Sequence, residues 1–192
     1  MPEYAQKYEA TLRKDCAFLN IPVPTNTLTI FMFNTVGDGR DKTGEMFPFY
    51  RNDSLFYWPP YTYGVVMAEK VVSQWQRGET RFPFLYQGLL RLFDASGRNF
   101  HEMTLDYIDS SMFIPLEELA ADTTINANLE FHRSVLAASF IDYLVFKYSS
   151  SHFALLYHAP TSFDSSVVGI FNITTDSLEH EWLNTIKATF KR

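Results

Sequence analysis

Cys16 is the only cysteine among 192 residues, so no internal disulfide can form and burial of apolar surface must hold the fold together. For a chain of 22.3 kDa, the scaling of surface with mass gives burial of about 70% of the unfolded surface. That is enough for one core without a metal or disulfide staple, and a single globular domain over 1–192 is expected. Charged residues make up 20% of the chain, which excludes the highly charged, weakly hydrophobic profile of disorder. The lone thiol also suits a reducing compartment. The start, MPEYAQKYEATLRKDC, carries Glu3 and Glu9 and no apolar run, so it does not read as a secretory leader. The longest apolar stretch, 135–146, is broken by Ser139 and Asp142 and is too short to span a bilayer. A soluble, cytoplasmic protein is expected, with no membrane partner.

Local patterns then suggest the elements. Tyr4, Tyr8, Leu12 and Cys16 recur every four residues behind Pro2, which predicts a helix over 2–17 with one apolar stripe. The run TLTIFMFN at 27–34 predicts a buried strand, and the polar, Gly-dense 36–45 a loop. Residues 46–51 and 55–58 flank Asn52-Asp53-Ser54, which predicts a hairpin around an Asx turn, with Pro48 keeping its strand at an edge. A helix is expected over 64–77, stopped by Gly78. The runs 82–93 and 99–108 face each other across Asp94-Ala95-Ser96-Gly97-Arg98 and predict a second hairpin. Pro115 opens a short helix. The segment 128–148 keeps helical spacing at Leu129, His132, Leu136, Phe140 and Tyr143, but a break near Ala138 with a strand beyond it is expected. Strands are also expected at 152–158 and 166–173. The last helix carries the Asp176 to Glu179 spacing of a capping box and a stripe of Trp182, Leu183, Ile186 and Phe190. These add up to an α+β domain, a largely antiparallel sheet with the N-terminal and C-terminal helices packed on it.

Charge is distributed unevenly. Residues 1–98 hold 11 basic and 10 acidic side chains, whereas 99–186 hold 2 basic and 12 acidic, a net of −10. Such a field repels nucleic acid and accelerates encounter with a basic partner. Glu102, Asp106, Asp109, Glu117 and Glu118 are the candidate contacts in that half. A solvated acidic face is the plainer alternative.

Aromatic residues crowd 47–63, where eight of seventeen positions are Phe, Tyr or Trp. Tyr57, Trp58, Tyr61 and Tyr63 are candidate interface anchors, since each offers a large rigid surface and a polar tip. Core filling is the competing role, and the same patch would also serve a two-fold homodimer.

Chemistry-bearing motifs are sparse. The segment GDGRDKTGE lacks the GxxxxGK[ST] order of a phosphate loop, and no HExxH, CxxC or GxSxG is present. All five histidines lie beyond residue 100, but His152 and His158 would stand roughly 20 Å apart on a strand, too far to share a metal. No cofactor, metal or catalytic set is expected. The sequence therefore reads as a non-enzymatic binding protein of the inhibitor, immunity or chaperone type, docking a basic protein through its acidic C-terminal half. The alternative is a small-molecule-binding domain or enzyme with an aromatic-lined pocket, polar recognition falling to His101, His152 or His158.

Overall fold

The computed structural model describes residues 2–46, 48–58, 63–75, 80–121 and 127–190, with the side chains at 2–4, 63 and 127–130 left aside. It corrects the expected fold class. The protein is 66% helix, with ten helices among the described residues, and the sheet described there has three strands of mixed direction instead of forming a large antiparallel layer. Contacts divide the chain into two compact units, Met1–Arg77 with Phe93–Gly97, and Gly78–Leu92 with Arg98–Arg192.

The first unit carries the sheet. Helix α1 (Pro2–Phe18) buries Tyr8, Leu12 and Cys16 at four-residue spacing, as the sequence pattern requires. Strand β1 (Thr29–Met32) runs parallel to β3 (Ser54–Tyr57), and β2 (Phe49–Arg51) runs antiparallel to β3, in the order β1-β3-β2. The hairpin around Asn52 and Asp53 is as expected, with β2 at an edge. β1 is a strand but not a buried one: Thr29, Phe31 and Met32 are exposed, because an edge strand is covered from one side only. Phe31, Phe56 and Phe49 stack across the three strands, with ring centroids 4.8 and 4.6 Å apart.

The segment expected as a loop forms helix α2 (Val36–Thr43), because Thr35 accepts from the Asp38 N–H at one end and Gly44, at φ 73°, closes the other. Helix α3 (Tyr63–Trp75) packs on β2 and β3 and on α1. Its nearly buried Lys70 donates to the Asn52 carbonyl at 2.8 Å and to the Asp53 carboxylate at 3.1 Å, pinning the hairpin turn. Gly78, the expected stop, lies outside the described residues.

The second unit is built from helices alone among its described residues: α4 (Pro83–Leu92), α5 (Phe100–Asp109), α6 (Leu116–Ala121), α7 (Ala127–Lys147), α8 (Ser150–Tyr157), α9 (Phe163–Phe171) and α10 (Thr175–Phe190). The expected hairpin over 82–108 is thus a pair of helices. In α4 the buried residues are Phe84, Leu85, Gly88 and Leu89, and in α5 they are Phe100, Thr104 and Leu105, both helical stripes. Asn99 caps α5 by accepting from the N–H groups of His101 and Glu102 at 3.1 and 3.3 Å.

The expected strands at 152–158 and 166–173 are α8 and α9, capped by Ser149 and Ser162. No break occurs at Ala138. Helix α7 runs through it, with α4, α5, α8 and α10 packed around it, so Val135, Leu136, Ala137, Ala138, Phe140, Ile141 and Leu144 are all fully buried. Burial on every side erases the one-faced pattern by which helix and strand are told apart. Each fully buried Val, Leu, Ile or Phe there contributes roughly 1.5–3 kcal/mol.

Candidate functional site

In the second unit a linked set of polar groups lies where α5, α7 and α10 meet. The Asn99 cap sets His101 in the first turn of α5, facing α7. Two α7 residues one turn apart receive it: His101 Nδ1 lies 2.7 Å from Ser139 Oγ, and His101 Nε2 lies 3.0 Å from Asp142 Oδ2. From α10, the Trp182 indole N–H donates to the same Ser139 oxygen at 3.1 Å.

One protonation pattern gives every donor one acceptor: Trp182 N–H to Ser139 Oγ, Ser139 O–H to His101 Nδ1, and His101 Nε2–H to the Asp142 carboxylate. The tautomer follows from the partners on the two ring nitrogens. The residue types match a hydrolytic triad, but Ser139 is fully buried with its hydroxyl committed at both ends. No substrate carbonyl can reach it, and the chain's effect is to fix Asp142 in place.

Above this chain lies a groove of about 190 Å³ between α7 and α10, lined by His101, Asp142, Tyr143, Phe146, Thr185, Ile186, Thr189 and Phe190. Phe146 is 83% exposed, more than any other large apolar side chain described. Asp142 reaches solvent with 43% of its side chain. Below the groove, the phenols of Tyr143 and Tyr148 both donate to Glu181 Oε2, at 3.1 and 3.0 Å. Burial raises both phenols above the ordinary tyrosine range, with Tyr148 and then Glu181 adding to it at Tyr143 and Glu181 adding to it at Tyr148.

The candidate contacts named from the sequence fare differently. Glu102, Asp106 and Asp109 are exposed, and their spacing of four and three puts them on one face of α5. Glu117 and Glu118 are exposed in the first turn of α6. Tyr57 is corrected: it is 3% exposed, inside the first unit, with its ring edge-on to Tyr8, and offers no surface anchor. Trp58 is half-buried, whereas Tyr61 and the side chain of Tyr63 lie outside the described residues.

The charge contrast is also softened by the fold. The second unit gathers Arg81, Arg91 and Arg98 with the acidic half, giving 13 acidic and 8 basic side chains, a net of −5. Arg91 and Arg98 stack on the Phe131 ring, at 4.5 and 5.2 Å from its centroid.

Of the other histidines, His152 shares a hydrogen bond of 2.9 Å with Ser149 Oγ, and His158 closes α8. In the first unit a cleft of about 420 Å³ lies between α1 and the 23–28 segment, with Tyr8, Leu12, Ile30 and Met67 in its wall. None of its described wall residues comes from the aromatic 47–63 segment.

From the sequence no site role attaches to Asp142, Phe146 or Phe190: Asp142 reads as a break in an apolar run and Phe190 as part of the buried stripe of the last helix, where it is half-buried. The available signal was Asp142 itself, a charge inside an apolar run, with Phe146 one helical turn further on. No group of three or more His, Cys, Asp or Glu side chains suited to a metal ion occurs among the described residues, and no described helix is long and apolar enough to cross a membrane. No protein-family model matches the chain, and no curated protein or solved structure is similar enough to it to count as a match.

Proposed function

We propose that this chain is a protein-binding protein whose helical unit docks a basic partner. The observation that carries the reading is the exposed line of Glu102, Asp106 and Asp109 on α5. Carboxylates held in a row on a rigid helix steer an oppositely charged surface and fix its register. Glu117 and Glu118 are two further exposed carboxylates, on α6, and Phe146 is an exposed apolar side chain of the kind that anchors an interface core. A reduced, buried Cys16 accords with work in the cytoplasm.

The test is the association rate of the full chain with a basic protein recovered from its own host, measured at rising ionic strength. The expected outcome is a rate that falls steeply with salt and drops about tenfold in the Glu102→Lys/Asp109→Lys variant. A rate indifferent to both overturns the reading.

The first unit's cleft favours a second reading, a small-molecule site. Its volume falls in the range of ligand pockets, about 300–1,000 Å³, and its wall is mostly apolar. A ligand present at a hundred times its dissociation constant stabilises the protein by about 2.7 kcal/mol, which thermal unfolding resolves.

A further inference from the structure

We propose that the groove between α7 and α10 receives one lysine side chain from a protein partner, with the ammonium at Asp142 and the alkyl stem along Phe146 and Phe190. The inference rests on the docking reading above and names what the partner inserts.

Size sets the first limit. At about 190 Å³ the groove is smaller than the roughly 300–1,000 Å³ of drug-sized ligand sites. It suits a single side chain and excludes a nucleotide or other large cofactor.

The polar lining sets the second, because its protons are already committed inside the fold. Thr185 Oγ1 donates to the Glu181 carbonyl at 2.7 Å and Thr189 Oγ1 to the Thr185 carbonyl at 2.8 Å. The Tyr143 phenol donates to Glu181, and His101 Nε2–H is held by Asp142 Oδ2. What remains for a guest is acceptor capacity: the second oxygen of Asp142 and the lone pairs of Thr185 and Thr189. Among the described lining residues an anion or a carbonyl finds no uncommitted donor. An ammonium group brings three N–H donors and a positive charge, and a lining of acceptors around one carboxylate complements both.

The apolar lining sets the third. Phe146 and Phe190 line the groove, and aromatic rings attract a cation and pack against its methylene stem. Covering the Phe146 ring removes a solvent-facing aromatic that is otherwise unfavourable. The His101 to Ser139 to Trp182 chain gives the carboxylate a fixed position, so little ordering remains to be done on binding.

The experiment is a titration of the full chain with Nα-acetyl-lysine methylamide, followed by amide chemical shifts, with the norleucine analogue as the uncharged control. The expected result is saturable shifts on α7 and α10 around Asp142, Phe146 and Thr189 with the lysine compound alone. Asp142→Asn and Phe146→Ser are each expected to weaken binding by about fivefold or more. Both sites are solvent-facing, and Thr189→Val serves as a third variant if either disturbs the fold.

Equal shifts from norleucine, shifts confined to other helices, or unchanged affinity in Asp142→Asn overturn the proposal. Tighter binding of the trimethyl-lysine analogue also overturns it, because that cation has no N–H to give. If the basic protein still associates in a salt-dependent way while lysine does not bind, the groove assignment alone fails. If lysine binds but no basic protein associates, the docking reading fails instead.

Discussion

Glu179, on α10, caps a helix other than its own: its Oε2 accepts the backbone N–H of Leu116, at the start of α6, at 2.6 Å. Leu116 is fully buried, so no water can replace that acceptor. Burial raises the Glu179 carboxyl above its usual range, and the Leu116 N–H pulls it partly back. Glu179→Ala is expected to cost about 1–3 kcal/mol, the penalty for an orphaned buried donor. Glu179→Gln keeps an acceptor oxygen and should cost less. Urea unfolding of the two variants against the parent checks the order.

Asp15 is 2% exposed on α1, and its Oδ2 has no hydrogen-bond partner among the described residues. Burial pushes its carboxyl up to about 7, with Lys14 opposing. In the unfolded chain the group ionises near 3.9. The folded state thus holds a proton that the unfolded state has lost, and the associated stability is present below about pH 4 and lost as pH rises through about 7. A shift of that size corresponds to at most about 4 kcal/mol. Asp15→Asn, neutral throughout, is expected to be more stable than the parent at pH 8 and to lose that advantage towards pH 4. Denaturation midpoints at both pH values measure it.

A methyl group at Gly88 would lie 2.7 Å from Ala137 Cβ, 2.8 Å from the Ala137 carbonyl carbon and 2.8 Å from Ile141 Cδ1. Helix propensity alone favours Gly88→Ala by about 1 kcal/mol. Overpacking against the α7 backbone costs about 1–3 kcal/mol and should win. A fall in melting temperature is the expected result. A rise would mean that α4 and α7 can separate without penalty.

Ser139→Ala leaves the buried Trp182 N–H with no acceptor, at an expected cost of about 1–3 kcal/mol. Trp182→Phe removes the donor and some volume instead. Because both changes break one bond, the double variant should lose less than the sum of the two, and a double-mutant cycle from thermal unfolding gives the coupling.

The sequence was most readable where one face of an element is dry and the other wet. Tyr8, Leu12 and Cys16 mark α1, and Asn52 with Asp53 marks the hairpin that Lys70 pins. It misled where Phe, Tyr, Val and Ile fill helices. The runs 82–93 and 166–173 have strand-like composition, yet Phe84, Leu85 and Leu89, or Phe163, Val167 and Phe171, are buried at helical spacing. β-propensity measures fit to a half-buried surface, and a helical core supplies such a surface equally well.

The cap signals at Asn99, Ser149 and Ser162 were present in the sequence and outweighed strand composition in the fold. Glu179 was legible as a capping residue but not for its target. Thr174 caps α10 through the Ser177 N–H, and the Glu179 carboxylate is spent on α6, a pairing 63 residues apart that no local window contains. The candidate groove was illegible for the same reason, since His101, Asp142 and Phe190 meet only through tertiary packing.

Helix α7 spans 21 residues, about 32 Å at 1.5 Å per residue, with four other helices laid against it. Amide hydrogens near Ala138 can therefore reach solvent only when those neighbours come away together, whereas the turn at Lys147 can fray alone. Deuterium uptake along this one helix should pass from fast at its solvent-facing end to as slow as complete unfolding in its middle. The helical unit thus has a centre that opens last, and the Asp142 groove sits one turn from it.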